Sequence, residues 1–410
     1  MSLPVLRAAA WAAAILPVFA LAAPLSLDQA LALAVQRSES ARSARAGMAS
    51  ASELARAAGQ LPDPMLNAGV DNLPVTGADR FSTTRDSMTM KRIGISQEWL
   101  SRDKRAARQA AAEAAAGRES IQARAAVADA RLQTALAYLD AFHAAQALEL
   151  TALVEHHAHE ELEAARARLA SSTGSSQDVL ALAAARGIAQ DESDDVRQQQ
   201  GSANVALQRW IGVPVEELAV PTLAAPPGEQ DYVAGHPTVA ALQRDVDVAR
   251  QNALLASSER TPNWTWEVSY GQRTGYSDMV SLGVSIPLQL ARDQRQDRET
   301  ASKLALVDKA EANLAEAVRA ATGEYLELTG EVQRLRERVD RYRSNVLTPA
   351  RQRTAAATAA YRSGQAGLMA LFEARHAEVE AQRKLLTLQR DLAKAQARLV
   401  FKPLDPGALQ

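Results

Sequence analysis

MTMKRIGISQEWLSRDKR, residues 88–105, is the stretch whose reading decides the fold. It passes from alternating residues that read as a strand directly into the longest helical pattern of the first half. The chain does the same at DMVSLGVSIPLQLARDQR, residues 278–295. The two share a Gly-x-Ser core, Gly94-Ile95-Ser96 and Gly283-Val284-Ser285, then Arg-Asp at Arg102-Asp103 and Arg292-Asp293. Each continues as roughly 70 residues of helix-forming sequence. A repeat at about 190 residues predicts one structural unit built twice.

Working outward, residues 27–60 read as a helix after Ser26, stopped by Leu61-Pro62-Asp63-Pro64. Strands follow at 65–72 and 87–97, then helices at about 101–170 and 176–211, separated by Ser171-Ser172-Thr173-Gly174. A proline-rich connector occupies 213–235. The second half repeats the order: a helix at 236–260, strands at 263–272 and 279–288, a long helix at 293–362 and another at 368–400. Residues 24–212 and 236–400 are thus the expected repeats, and 401–410 a C-terminal tail. Residues 1–23 read as a secretory signal, with Arg7, an apolar run broken by Pro17, and Ala20-Leu21-Ala22 for cleavage.

Composition agrees with long helices in close contact. Aromatics are only 4% of the 410 residues, the apolar residues are mostly small, and the net charge of −2 provides no basic field for nucleic acid. There is no cysteine, which excludes disulfides, thiolate metal sites and an acylated cysteine. The second long helix carries a seam at Leu304, Val307, Leu314, Val318, Ala321, Tyr325, Leu328, Val332, Leu335, Val339, Tyr342 and Val346. Steps of three and four predict coiled-coil packing. At 1.5 Å per residue, 70 residues make a rod of about 105 Å.

The strands carry the functional signal. Trp264, Trp266, Val268 and Tyr270 fall on one face, matched by Val280, Leu282, Val284 and Ile286, with Thr265, Glu267, Ser269, Ser281 and Ser285 between them. Apolar and polar residues alternating over about ten positions is the pattern of a transmembrane barrel. Trp99, Trp264 and Trp266 stand where an interfacial aromatic girdle would. An ordinary hairpin packed on helices has the same periodicity. The first pair is weaker, with Lys91 and Arg92 inside it. Four strands cannot close a barrel, and an open edge cannot sit in lipid. Several chains must contribute, and a symmetric trimer would supply twelve strands continued by a helical tube.

The order of elements, the Pro62 and Pro262 stops, Gly-x-Ser at both junctions, Ala206-Leu207-x-x-Trp210-Ile211-Gly212 and Tyr361-x-Ser363-Gly364 leading to Leu371-Phe372-Glu373-Ala374 together resemble the TolC-type outer-membrane efflux family. The resemblance implies a mainly α fold with a membrane β part. It would be a homotrimer with a twelve-stranded barrel in outer-membrane lipid, continued by an α-helical coiled-coil tunnel through the periplasm. The implied partners are a periplasmic adaptor and an inner-membrane pump, with no cofactor. Adaptor docking would fall on Ser171, Ser172 and Thr173 and on Ser363, Gly364 and Gln365. Ser172 replaces the expected glycine, which predicts a different first turn or a looser contact there. Glu373, Asp178 and Tyr361 fall on constriction positions, while Ala370 and Ala366 replace a usual aspartate and the latch arginine. A three-fold Glu373 ring is then the cation-attracting constriction; solvated helix charges are the bland alternative.

The wording LPDPMLNAGVDNLPVTGADRF…MTMKRIGISQEW looks most like the heavy-metal branch, beside resistance-nodulation-division pumps for copper and silver or for cobalt, zinc and cadmium. Drug efflux or protein secretion through the same duct is the near rival, and a periplasmic coiled-coil scaffold without a pore the distant one. His156, His157 and His159 hold half of the six histidines, in VEHHAHEELE. On a helix His156 would face His159 and Glu160, and His159 would face Glu163, so a metal contact or a solvated surface is expected there. Met65, Met88 and Met90 could offer thioethers to soft cations or simply face lipid. No Ser-His-Asp set, phosphate loop or converging carboxylate pair points to an enzyme.

Overall fold

The computed structural model describes residues 24–405, so the expected signal segment and the last five residues lie outside the described residues. The amino-terminal half opens with α1 (Leu27–Arg37), closed by a capping box in which Ser26 Oγ accepts from the Gln29 amide (3.3 Å) and Gln29 Oε1 from the Ser26 amide (3.0 Å). The single helix expected over 27–60 is in fact two. Ser38 takes an extended conformation (φ −64°, ψ 106°), ends α1, and caps α2 (Glu39–Ala58) through its own hydroxyl (3.2 Å to the Ala41 amide). Strands β1 (Met65–Asp71) and β2 (Met90–Trp99) follow, so the second starts later and runs further than expected. Helix α3 (Arg102–Ala170) is 69 residues long and α4 (Ser176–Ile211) returns beside it.

The connector is not wholly irregular. It contains α5 (Glu229–Gly235), and Leu218 forms a parallel bridge with Leu25. Tyr138, fully buried on α3, sets its hydroxyl 2.7 Å from the carbonyls of both Leu25 and Ala219, which clasps this bridge to the long helices. Burial pushes the Tyr138 phenol up to about 12, so it stays a donor. The second half continues with α6 (Pro237–Ser258), β3 (Trp264–Gln272) and β4 (Met279–Ser285).

The second long helix departs from expectation. It is α7 (Gln296–Tyr342), a π-helical turn (Arg343–Leu347) and α8 (Thr348–Arg362), before α9 (Leu368–Phe401). Pro349 cannot donate to the α ladder, and the Thr348 amide bonds five residues back to Arg343. The extra residue shifts the seam by one. Ala321, Leu328, Val332, Leu335 and Val339 are buried as expected, but the next buried position is Leu347, and Val346 is exposed. Leu304 and Val318, in the first half of the seam, are exposed in the single chain, and Val307 and Leu314 between them are half-exposed. The tail folds back: the Leu404 amide bonds the Gly235 carbonyl (2.7 Å), and Leu404 is buried beside Ile121 and Ala128.

The helices lie side by side as one layer. Helices α2 and α4 flank α3 on one side and α6 and α9 on the other, and α7 and α8 pack beyond them. The strands form one antiparallel sheet in the order β1-β2-β3-β4 at the end of this layer. Among the described residues, β1 and β4 have no partner on their outer edges.

Candidate functional site

The register settles what each face of the sheet carries. Leu66 pairs with Ile95 and Ala68 with Ile93; these pair onward with Val268 and Tyr270, and those with Leu282 and Val280. Trp99 stands opposite Trp264 and Val284 opposite Trp266. The two facing rings, Trp99 and Trp264, are 5.9 Å apart. All of one face is therefore apolar except Lys91, Gln97 and Gln272, and most of its side chains are exposed, Leu282 at 79% and Leu66 at 71%. The other face holds Asn67, Asp71, Arg92, Ser96, Glu98, Thr265, Glu267, Ser269, Ser281 and Ser285.

The first strand pair is better formed than its sequence suggests, because Arg92 and Lys91 fall on opposite faces. Arg92 sits among the polar residues, 3.0 Å from Asp71 and 3.4 Å from Glu267. Met65, Met90 and Met279 share that polar face, which corrects the apolar-face alternative; Met88 precedes β2. Gly94 is required by the close approach of β3: a Cβ there would stand 2.6 Å from Ser269 Cβ. Its counterpart Gly283 has open space, with Glu267 Cβ 3.9 Å away. No helix among the described residues is long and apolar enough to cross a membrane.

Where sheet meets helices, the structure contains a centre that the sequence reading missed. Lys104, 1% exposed, donates to Glu259 Oε2 (2.9 Å), the Thr261 carbonyl (2.8 Å) and Asn263 Oδ1 (2.7 Å). Asn263 in turn donates to Glu98 Oε1 (2.6 Å). All three ammonium donors are used, which is what lets a lysine be buried. Its acceptors lie more than 150 residues away, so no local pattern announces them.

At the opposite end, the two tips fold alike. The Thr173 amide reaches the Arg168 carbonyl (2.9 Å) and the Gln365 amide reaches the Ala360 carbonyl (2.8 Å), the six-to-one bond of a Schellman cap. The left-handed position is Gly364 (φ 75°) in one tip and Ser172 (φ 59°) in the other. The expectation of a different first turn is thereby corrected: Ser172 takes the glycine conformation at a steric cost. Ser172→Gly should stabilise this tip by about 1 kcal/mol, read as slower amide exchange over residues 170–174, and Gly364→Ser should speed exchange at the other.

Tyr361 is half-buried under Arg168, whose guanidinium lies 5.9 Å from the ring centre, so an arginine does meet this tyrosine although position 366 is alanine. Arg168 was not singled out from sequence; its place in the last turn of α3 is the available signal. Glu373 is exposed and Asp178 half-exposed, and neither makes an ion pair among the described residues. Nearby, buried Glu161 of α3 accepts from Arg375 of α9 (2.6 Å). Desolvation holds the Glu161 carboxyl above the usual range in spite of that arginine.

His156 and His157 both reach Glu160, at 3.3 and 3.5 Å, but His159 does not join them and Glu163 pairs with Arg166 instead. No group of three His, Asp or Glu side chains set to hold a metal occurs among the described residues. A charged groove between α3, α4 and α9 contains Asp140, His143, Trp210, Arg390 and Lys394, with Lys394 neutralised by Asp140 at 2.7 Å. Burial holds the His143 imidazole below its ordinary value.

No protein-family profile matches the sequence, and no curated protein matches it either. Solved structures do. The chain is similar to the outer membrane protein VceC of Vibrio cholerae at TM-score 0.75 and 19% identity, over 92% of this chain and 96% of that one. It is similar to the open state of the MtrE outer membrane channel of Neisseria gonorrhoeae at 0.75 and 17%, over 92% and 88%. CusC, described with transmembrane channel formation, gives 0.74 and 16% over 92% of both. The chain therefore has the fold of these outer-membrane channels.

Proposed function

We propose that the chain is the outer-membrane exit duct of a tripartite efflux system. The observation that carries this reading is the sheet: one face apolar and exposed, the other polar, and both edges open, at the end of a layer of long helices. Such a sheet is stable in lipid only when other copies close it. Three copies give a twelve-stranded barrel, and the exposed faces of α4 and α7, with Leu180, Ile188, Leu304 and Val318, are then buried between protomers. An inner-membrane resistance-nodulation-division pump supplies the energy, and a periplasmic adaptor docks on the tips at Ser171–Thr173 and Ser363–Gln365. Glu373, Asp178 and Tyr361 line the constriction beside them, where acidic rings attract cations.

Heavy-metal cations are the proposed cargo. The TM-scores to CusC, MtrE and VceC are nearly equal, so this part rests on the sequence wording around residues 61–99 and on Met65, Met90 and Met279 of the polar face. A deletion strain should become hypersensitive to copper and silver, or to cobalt, zinc and cadmium. Sensitivity confined to dyes and antibiotics would keep the duct and discard the metal assignment.

The barrel has its own test. Leu282→Arg puts a charge in the middle of the apolar face and should cost about 2–4 kcal/mol per protomer, seen as loss of heat-resistant trimers from the outer-membrane fraction. Ser281→Arg, one residue away on the polar face, should retain them. A soluble elongated protein with no such difference would support a periplasmic scaffold instead.

A further inference from the structure

The apolar face of the sheet carries one charge, Lys91, and its position is specific. It pairs with Val70 on one side and Gln272 on the other, with Ile93 next on its own strand and Tyr270 diagonal to it. None of these is acidic, and Lys91 makes no ion pair among the described residues. Of the neighbouring carboxylates one is engaged elsewhere and one is shared with this rim. Asp71 is on the opposite face with Arg92, and Asp278 accepts from the Tyr270 hydroxyl and from the Arg273 amide (3.2 Å). Arg273 follows Gln272 at the same rim. Its Nε donates to the Ser277 carbonyl (3.1 Å) and its guanidinium lies over Tyr276 (5.6 Å), which fixes the side chain, while its terminal nitrogens make no hydrogen bond among the described residues.

Height completes the argument. The Trp99–Trp264 pair marks one end of the apolar band, and Lys91 lies eight residues along β2 from Trp99. At about 3.4 Å per residue that is about 27 Å of strand, or about 21 Å of height at a tilt near 40°. An outer-membrane apolar band is about 25 Å tall. The Lys91 backbone therefore stands at the far rim, and its four-carbon stem extends the ammonium into the headgroup layer.

We propose that this rim is a binding site for a phosphorylated lipid of the leaflet on the loop side of the sheet. Its phosphate sits on Lys91 and Arg273, and its acyl chains lie along Val70, Ile93, Tyr270 and Val280. Lys91 and Arg273 outnumber the one carboxylate at this rim, Asp278, which leaves a net positive charge for an anionic headgroup, and the apolar residues next to Lys91 form the upper half of a band about 25 Å tall, one leaflet's depth. The site rests on the barrel reading, because only insertion brings lipid to this face.

The test uses full-length trimer in detergent, titrated with lipid A, with dephosphorylated lipid A and with inorganic phosphate, and read by native mass spectrometry. Wild type should retain lipid A selectively. Lys91→Gln should weaken retention about five-fold and Lys91→Gln with Arg273→Gln about 25-fold, whereas Lys91→Arg should keep it. Equal retention of the dephosphorylated lipid, competition by inorganic phosphate, or variants indistinguishable from wild type would overturn the site while leaving the barrel intact. Absence of heat-resistant, membrane-inserted trimers from wild type itself would overturn the barrel reading and this site with it.

Discussion

Lys104→Met should destabilise the junction between sheet and helices by about 2–3 kcal/mol and lower the yield of assembled protein. The magnitude follows from what remains behind. The Thr261 carbonyl and Asn263 Oδ1 lose their donor at the edge of the buried Lys104 pocket, and Glu259, about a third exposed, keeps only Arg108 at 3.5 Å. Asn263 also holds Glu98, so the disturbance reaches the last turn of β2 beside Trp99. Lys104→Arg should not rescue, since a planar five-donor fork does not fit a position 1% exposed that is built for a compact ammonium. Pulse-labelled export followed by the fraction in heat-resistant trimers measures both variants. Wild-type yield from Lys104→Met would show that the three bonds contribute little. The centre joins α3 of the first half to α6 and β3 of the second, which is why a single substitution should be felt by both.

How much of this molecule was legible depended on whether the cause was local. Alternation over Trp264–Tyr270 and Val280–Val284 announced the sheet because side-chain direction has period two, and burial on one face demands one character. Lys91 and Arg92 seemed to spoil β2, yet neighbours in a strand point to opposite faces, so only one of them could be out of place. The tips at Ser171–Ser175 and Ser363–Gly367 were visible as breaks in helical pattern, but the similarity of their turns was not, because Ser172 hides a left-handed residue behind a side chain that rarely adopts one. Pro349 was a readable warning that α7 could not continue unmodified, and the one-residue slip from Val346 to Leu347 is its consequence. Ser38 reads as an ordinary helix residue until its hydroxyl is seen capping α2. Lys104 and Glu161 were out of reach because each is defined by a partner on a distant element, and Arg168 offered only its place in the last turn of α3. Pairings of this kind are a property of the packed layer.

Arg375→Met should loosen the region next to the tips by about 3 kcal/mol, whereas Glu161→Gln should cost almost nothing. The two partners differ in burial. Glu161 is 4% exposed, and removing Arg375 strands its carboxylate in a desolvated site. Arg375 is 30% exposed at the side chain, and it can turn to water when Glu161 becomes neutral. The direction of the Glu161 shift says the same. Its folded pKa is raised, with desolvation outweighing Arg375, so the protonated form is the one folding favours. The stabilisation tied to that proton is complete below the unfolded-state value and is lost as pH rises through the folded one. Arg375→Met raises the folded value further, so its defect should be largest near neutral pH and should shrink on acidification, while Glu161→Gln should show no such pH dependence. The double variant should be close to wild type, because an apolar and a neutral group of similar volume replace the pair. Amide exchange of residues 155–168 and 368–380 reports local opening directly, and about 3 kcal/mol corresponds to roughly a hundred-fold faster exchange. Equal effects of the two single variants would mean that attraction rather than desolvation governs the pair.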